Sequence, residues 1–179
     1  MLIHEKDGNV ASQQISTIRA GSEFFGFDYE TERFPDFHDP LTAADSDVDL
    51  MVDSSASLAI GEWFRFGIEV LDEVRLHEQD DDDLSEVQLW PEHFDPATGL
   101  GDFEKGQRAS FGASPGDGAN PEPYMYVASW SDIDHSNPFW NGRGFNGASL
   151  GYAELLSSDD PSGRAVEFLL EGYRVLHAG

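Results

Sequence analysis

The sequence predicts an α+β fold: a mainly antiparallel sheet of about four to six strands with two helices packed on it. Three observations predict it. Residues 86–90, 107–113 and 124–130 alternate in polarity with a period of two, as half-buried strands do. Residues 57–78 and 161–176 carry apolar side chains at three- and four-residue steps, as packed helices do. The strands are not regularly interleaved with helices, which argues against a doubly wound parallel sheet.

The chain has 179 residues, so one domain with an ordinary core is the default. Its 35 acidic and 10 basic residues give a formal charge of −25. Such a chain is repelled by nucleic acid phosphates and by anionic membrane surfaces, so neither is an expected partner. Asp exceeds Glu and Arg exceeds Lys, a bias that a GC-rich genome or a salt-adapted host produces. There is no cysteine, which excludes disulfides, thiolate metal sites and a cysteine nucleophile. No apolar run is long enough to span a bilayer, and the start MLIHEKDGNVAS lacks the pattern of a signal peptide. The expected location is the cytoplasm.

Residues 1–54 read as one or two short strands followed by an extended arm, and 55–179 as the α+β core. In the arm, Phe24, Phe25, Phe27, Phe34 and Phe37 are spaced among Pro35, Pro40 and acids, which opposes a long helix. Its phenylalanines are expected to lie on the main domain. Asp45, Asp47 and Asp49 resemble the start of a calcium loop, but Leu50 and Ala56 stand where glycine and glutamate are needed. A solvated loop is the better reading. Ser57 then caps the first helix, whose core face carries Ile60, Phe64, Gly67, Ile68, Leu71 and Val74. The four adjacent charges Asp80–Asp83 end it as a loop.

Glu86–Trp90 is a strand stopped by Pro91, and Gly99, Gly101 and Gly106 mark a turn-rich connection. Gln107–Ala113 places Ala109, Phe111 and Ala113 on one face. After the turn 114–118, the strand Tyr124–Trp130 puts Tyr124, Tyr126, Ala128 and Trp130 on one face and Met125 and Val127 on the other. Residues 131–146 are a loop, and Gly147–Leu155 alternates again. Asp160 caps the last helix, with Pro161 at its first position and Ala165, Phe168, Leu169, Gly172, Tyr173 and Leu176 as its core stripe.

The segments LWPEHFD (Leu89–Asp95), RASFGASPGD (Arg108–Asp117), PEPYMYVASW (Pro121–Trp130) and FWNGRGFNGASLGYAEL (Phe139–Leu155) resemble a group of uncharacterised bacterial proteins, mainly actinobacterial. The resemblance covers about residues 57–176. A looser similarity links the chain to a larger domain family of unknown function with a WPxxFD-like strand. It implies a bacterial, cytoplasmic protein and no particular activity.

Several familiar motifs fail on a named residue. Gly112-Ala113-Ser114-Pro115-Gly116 matches G-x-S-x-G, but Pro115 has no N–H to give an oxyanion and no helix can follow. Gly142-Arg143-Gly144-Phe145-Asn146-Gly147 is a literal G-x-G-x-x-G, yet it precedes a strand rather than a helix N-terminus. Residues 132–143 imitate a calcium loop, but Asn137 and Arg143 occupy its sixth and twelfth positions.

Three sets remain. His93, Asp95 and His135 are candidate acid–base residues, since side chains two apart on an extended segment share a face. His93, Asp95 and Asp117 are candidate metal ligands. Their plainer role is bonding to turn backbone after Pro91. Trp90, Phe94, Tyr124, Tyr126 and Trp130, with Trp140, either line a pocket or form core beneath the helices, the commoner outcome. A small-molecule site, if built, is expected at the sheet edge near Trp90, His93, Tyr126 and Trp130. These readings favour a non-catalytic binding module for a small molecule or a basic protein partner. The alternative is a metal-assisted or acid–base hydrolase centred on His93.

Overall fold

The computed structural model describes residues 1–28, 46–81 and 83–178. The chain divides into two compact units, Met1–Ser57 and Leu58–Gly179. The first opens with the hairpin β1 (Leu2–Lys6) and β2 (Asn9–Gln13). Asp7 and Gly8 join these strands with φ of 52° and 76°, the conformation that a tight two-residue hairpin turn requires. A helix follows where an extended arm was expected: α1 (Ile18–Phe25). The Thr17 hydroxyl accepts from the Ala20 N–H, and Gly26 closes the helix at φ 78°. Phe24 and Phe25 lie on this helix, and both rings contact His4. Of the acids that imitate a calcium loop, Asp47 pairs with Arg19 at 2.8 Å. Asp45, Phe34 and Phe37 lie outside the described residues, as do Pro35 and Pro40.

Helix α2 (Ser54–His77) begins three residues before the expected Ser57. Its cap is Asp53, whose Oδ1 accepts from the N–H groups of Ser55 and Ala56. The Ser57 hydroxyl instead donates back to the Asp53 carbonyl. The second unit contains the sheet β3 (Gln88–Trp90), β4 (Asp95–Leu100), β5 (Ala109–Ser114), β6 (Tyr124–Ser129) and β7 (Gly147–Gly151), all antiparallel and in sequence order. Five strands fall within the expected four to six. Strand β4 replaces the expected turn-rich connection. Its run of Pro96, Ala97, Thr98 and Gly99 has no polar alternation, because all six of its residues are buried.

The expected last strand stops early: α3 (Tyr152–Leu156) takes over from β7. Helix α4 (Pro161–His177) starts as expected, with Asp160 accepting from the Gly163 N–H. One sheet face carries Leu100, Ala109, Phe111, Ala113, Met125, Val127, Ala148 and Leu150 into the core. Trp63, Val70, Leu71 and Val74 of α2 and Ala165, Phe168 and Leu169 of α4 cover it. Gly67 allows the closest approach, since a Cβ there would stand 2.4 Å from the Ala113 Cβ. The acidic run after α2 is a loop with a structural member. Asp81 Oδ2 accepts from the Tyr173 hydroxyl at 2.8 Å and the Gly101 N–H at 2.9 Å. No helix among the described residues is long and apolar enough to cross a membrane.

Candidate functional site

Because strand side chains alternate, the sheet face away from α2 and α4 collects the remaining residues. Register places Tyr126 opposite Gly112, and Gly112 opposite Ala97. Gly112 is the enabling residue. A Cβ there would stand 2.5 Å from Cζ and Oη of Tyr126, so only glycine lets that ring lie flat across β5. Crossing β5, the Tyr126 hydroxyl reaches β4 and donates to Asp95 Oδ2 at 2.6 Å. A parallel pair forms beside it, where the Tyr124 hydroxyl donates to Asp117 Oδ2 at 2.6 Å. Asp117 is fixed by its own turn, with Oδ1 accepting from the N–H groups of Ala119 and Asn120.

The glycine-rich loop after Trp140 forms the lid of this face, not a nucleotide cradle. Its ends are closed by the Gly142 N–H donating to the Gly147 carbonyl, and Asn120 Nδ2 donates to the Arg143 carbonyl. Phe145 thereby lies near-parallel to Tyr124 and edge-on to Tyr126, with ring centroids 6.2 and 6.1 Å away. Sheet and loops wall a half-open cavity of about 390 Å³, which His93, Asp95, Ser110, Asp117, Arg143 and Phe145 line with the two tyrosines. That lies within the usual range of small-molecule sites, about 300–1,000 Å³.

Asp95 is the chemical centre of this cavity. It is 3 % exposed, and its Oδ1 is buried with no hydrogen-bond partner among the described residues. Burial pushes its carboxyl above the ordinary range, against the bond from Tyr126 and the nearby His93. Asp117 goes the other way. Burial raises it, but the bonds from Tyr124 and from the Asn120 and Ala119 backbone outweigh burial and lower it. Burial first, then the Asp95 charge, holds the Tyr126 hydroxyl well above its usual value. Burial and the bond to Asp117 push Tyr124 up to about 12. Both phenols are therefore hydrogen-bond donors at neutral pH, not bases or nucleophiles.

The structure thus brings together His93, Asp95, Asp117, Tyr124 and Tyr126 from the expected candidates. The others lie outside the cavity wall. Trp90 faces Asp95 across the β3–β4 register but is half exposed. Phe94, in a left-handed conformation (φ 52°), turns its ring onto Phe64. Trp130 sits at the rim, where its Nε1 donates to Ser110 Oγ at 2.9 Å and Arg108 stacks on its ring. His135 is exposed in the loop after β6 and does not line the cavity. Among the described residues no three His, Asp or Glu side chains are grouped to hold a metal ion, so His93, Asp95 and Asp117 do not form such a set. Ser114 ends β5 without the helix that a nucleophile elbow requires, and its Oγ accepts from the Gly116 N–H.

Gly112, Arg143 and Phe145 stood out in the sequence only inside motifs that fail, and Ser110 did not stand out at all. Gly112 follows only once β5 is paired with β6, and Arg143 and Phe145 sit in an aperiodic loop. A second cavity of about 430 Å³, walled mainly by apolar side chains such as Trp63, Phe66, Tyr152 and Leu155, gathers no convergent polar groups. No protein-family model matches the chain, nor does any curated protein or solved structure.

Proposed function

We propose that this protein is a non-catalytic binding module that holds a small polar molecule on the open sheet face, over Asp95. The observation that carries this reading is Asp95, which lines a cavity of ligand size and whose buried Oδ1 has no partner among the described residues. A buried polar atom left unbonded costs about 1–3 kcal/mol, and a donor from a bound molecule removes that cost. The two tyrosine–aspartate pairs and the pinned loop make the site rigid before binding, which lowers the entropy lost on association.

The test is a thermal-shift screen of small polar molecules against the wild type and Asp95→Asn. A ligand at a hundred times its Kd adds about 2.7 kcal/mol of stability, a shift of roughly 5–10 °C for a domain of this size. Compounds that shift the wild type and leave Asp95→Asn unmoved support the reading. A screen with no shift, or with equal shifts in both proteins, overturns it.

One observation favours a second reading. His93 lines the same cavity as Asp95, whose carboxyl burial has moved toward neutrality, and such a pair suits acid–base hydrolysis. Turnover of an ester or amide with a bell-shaped pH profile, lost in His93→Ala, would establish it. Binding without turnover in the wild type would reject it.

A further inference from the structure

We propose that the molecule held on the open face is a small zwitterion, with its ammonium group at Asp95 and its anionic group at Arg143. This rests on the small-molecule reading of the same cavity.

The argument starts from what Asp95 lacks. Its Oδ2 is bonded by Tyr126, and its Oδ1 is buried and unbonded among the described residues. A neutral hydroxyl from a ligand would supply the missing donor but leave a buried negative charge uncompensated. An ammonium supplies both the donor and the charge.

Arg143 supplies the opposite pole. It is exposed and lines the same cavity from the pinned loop. Its backbone carbonyl is engaged by Asn120, while its guanidinium has no bonding partner among the described residues. In a chain with 35 acidic and 10 basic residues, a guanidinium left unpaired beside a ligand-sized cavity is matched to an incoming anion. Ser110 adds a donor, because its Oγ accepts from Trp130 and keeps its own proton to give.

Charge selects between ligand classes. A purely cationic ligand brings like charge against Arg143. A purely anionic one meets both Asp95 and Asp117. A zwitterion satisfies both poles, and the Phe145 ring offers apolar wall for a side chain. The simplest members of that class are free amino acids.

The test uses calorimetric titration of glycine, L-leucine and L-phenylalanine. Each is compared with the amine lacking its carboxylate and with the acid lacking its ammonium. At least one amino acid is expected to bind more tightly than both of its truncated forms, by about tenfold or more. Arg143→Gln, at an exposed loop position that leaves the core untouched, is expected to bring the amino acid down to the affinity of its amine. Asp95→Asn is expected to bring it down to the affinity of its acid. An amine that binds as tightly as its amino acid, unaffected by Arg143→Gln, overturns the proposal. So does the absence of binding by all three amino acids. In that case, a neutral compound from the thermal-shift screen that binds only the wild type leaves the small-molecule reading standing. If no compound in either set binds, both fall.

Discussion

Asp95 shows how a single residue links fold to function. Its backbone starts an inner strand of the sheet, its Oδ2 anchors Tyr126, and its buried Oδ1 has no partner among the described residues. Burial disfavours the charged form of such a carboxyl, so its folded-state pKa lies above its unfolded one. The sign of the pH dependence follows. Below the unfolded value of 3.8 both states hold the proton and Asp95 confers its full stability. As pH rises from there through the raised folded-state pKa, the native state holds more proton than the unfolded state, and stability is lost. The slope is bounded at about 1.4 kcal/mol per pH unit for one group. The difference in unfolding free energy between Asp95→Asn and wild type, measured without ligand at constant ionic strength, is therefore expected to shift in favour of the variant as pH rises from 4 to 7. The other carboxylates cancel in that difference. A difference that stays flat with pH would show that Asp95 is not desolvated in the folded protein.

At the scale of elements, two glycines in the same helix separate backbone propensity from packing. In a helix interior Gly→Ala gains up to about 1 kcal/mol from propensity alone. Gly61 is exposed, with open space where a Cβ would point, so that gain is expected in full there. At Gly67 the new Cβ would meet the Ala113 Cβ at 2.4 Å, which is fixed to the backbone of β5 and cannot swing away. Overpacking of this kind costs about 1–3 kcal/mol, so it outweighs propensity and Gly67→Ala is expected to destabilise. Denaturant unfolding of the two variants checks the opposite signs, and equal effects would mean that α2 does not press on the sheet as described. The same helix shows what the sequence made legible. Helices α2 and α4 each bury one stripe and expose another, and strands β5 and β6, though covered on both faces, still alternate in residue type, so their periodicity is written in the residues. Strand β4 is buried on both faces and contains Pro96 and Gly99, so it looks like a turn until its partners on both sides are known. Helix α1 is short and marked chiefly by the caps Thr17 and Gly26. The site divides in the same way. The tyrosine face of β6 was legible from alternation. His93 and Asp95 were paired on the premise of an extended segment, whereas residues 91–94 form a turn with Phe94 left-handed, so the two reach one cavity by a route that spacing did not foretell. Arg143 and Phe145 were not legible, because a loop has no period and its docking depends on hydrogen bonds to distant backbone.

At the scale of the whole molecule, charge decides the response to solvent. With 35 acidic and 10 basic residues, like-sign pairs outnumber unlike ones, so folding draws mutually repelling carboxylates together. Opposing this are surface ion pairs such as Arg65–Glu69, at exposed positions, and Lys105–Asp102, whose aspartate is partly covered. Exposed pairs are each worth about 0–1 kcal/mol, and salt screens them too. The repulsion extends over many pairs and the attractions are few, so screening is expected to stabilise this fold. Thermal unfolding followed by circular dichroism in rising NaCl measures the balance. The shape of the curve identifies the cause. The Debye length falls from about 30 Å at 0.01 M to about 10 Å at 0.1 M and about 3 Å at 1 M. Relief of repulsion should therefore deliver most of its gain in Tm below roughly 0.3 M and then level off. A gain that instead keeps growing in proportion to salt would reflect strengthened burial of apolar surface rather than charge. A Tm that falls as salt is added would show that the local ion pairs outweigh the net charge. The zwitterion proposed for the Asp95 cavity adds no net charge to such a molecule, so its affinity is expected to depend on salt much less than the stability of the fold that binds it.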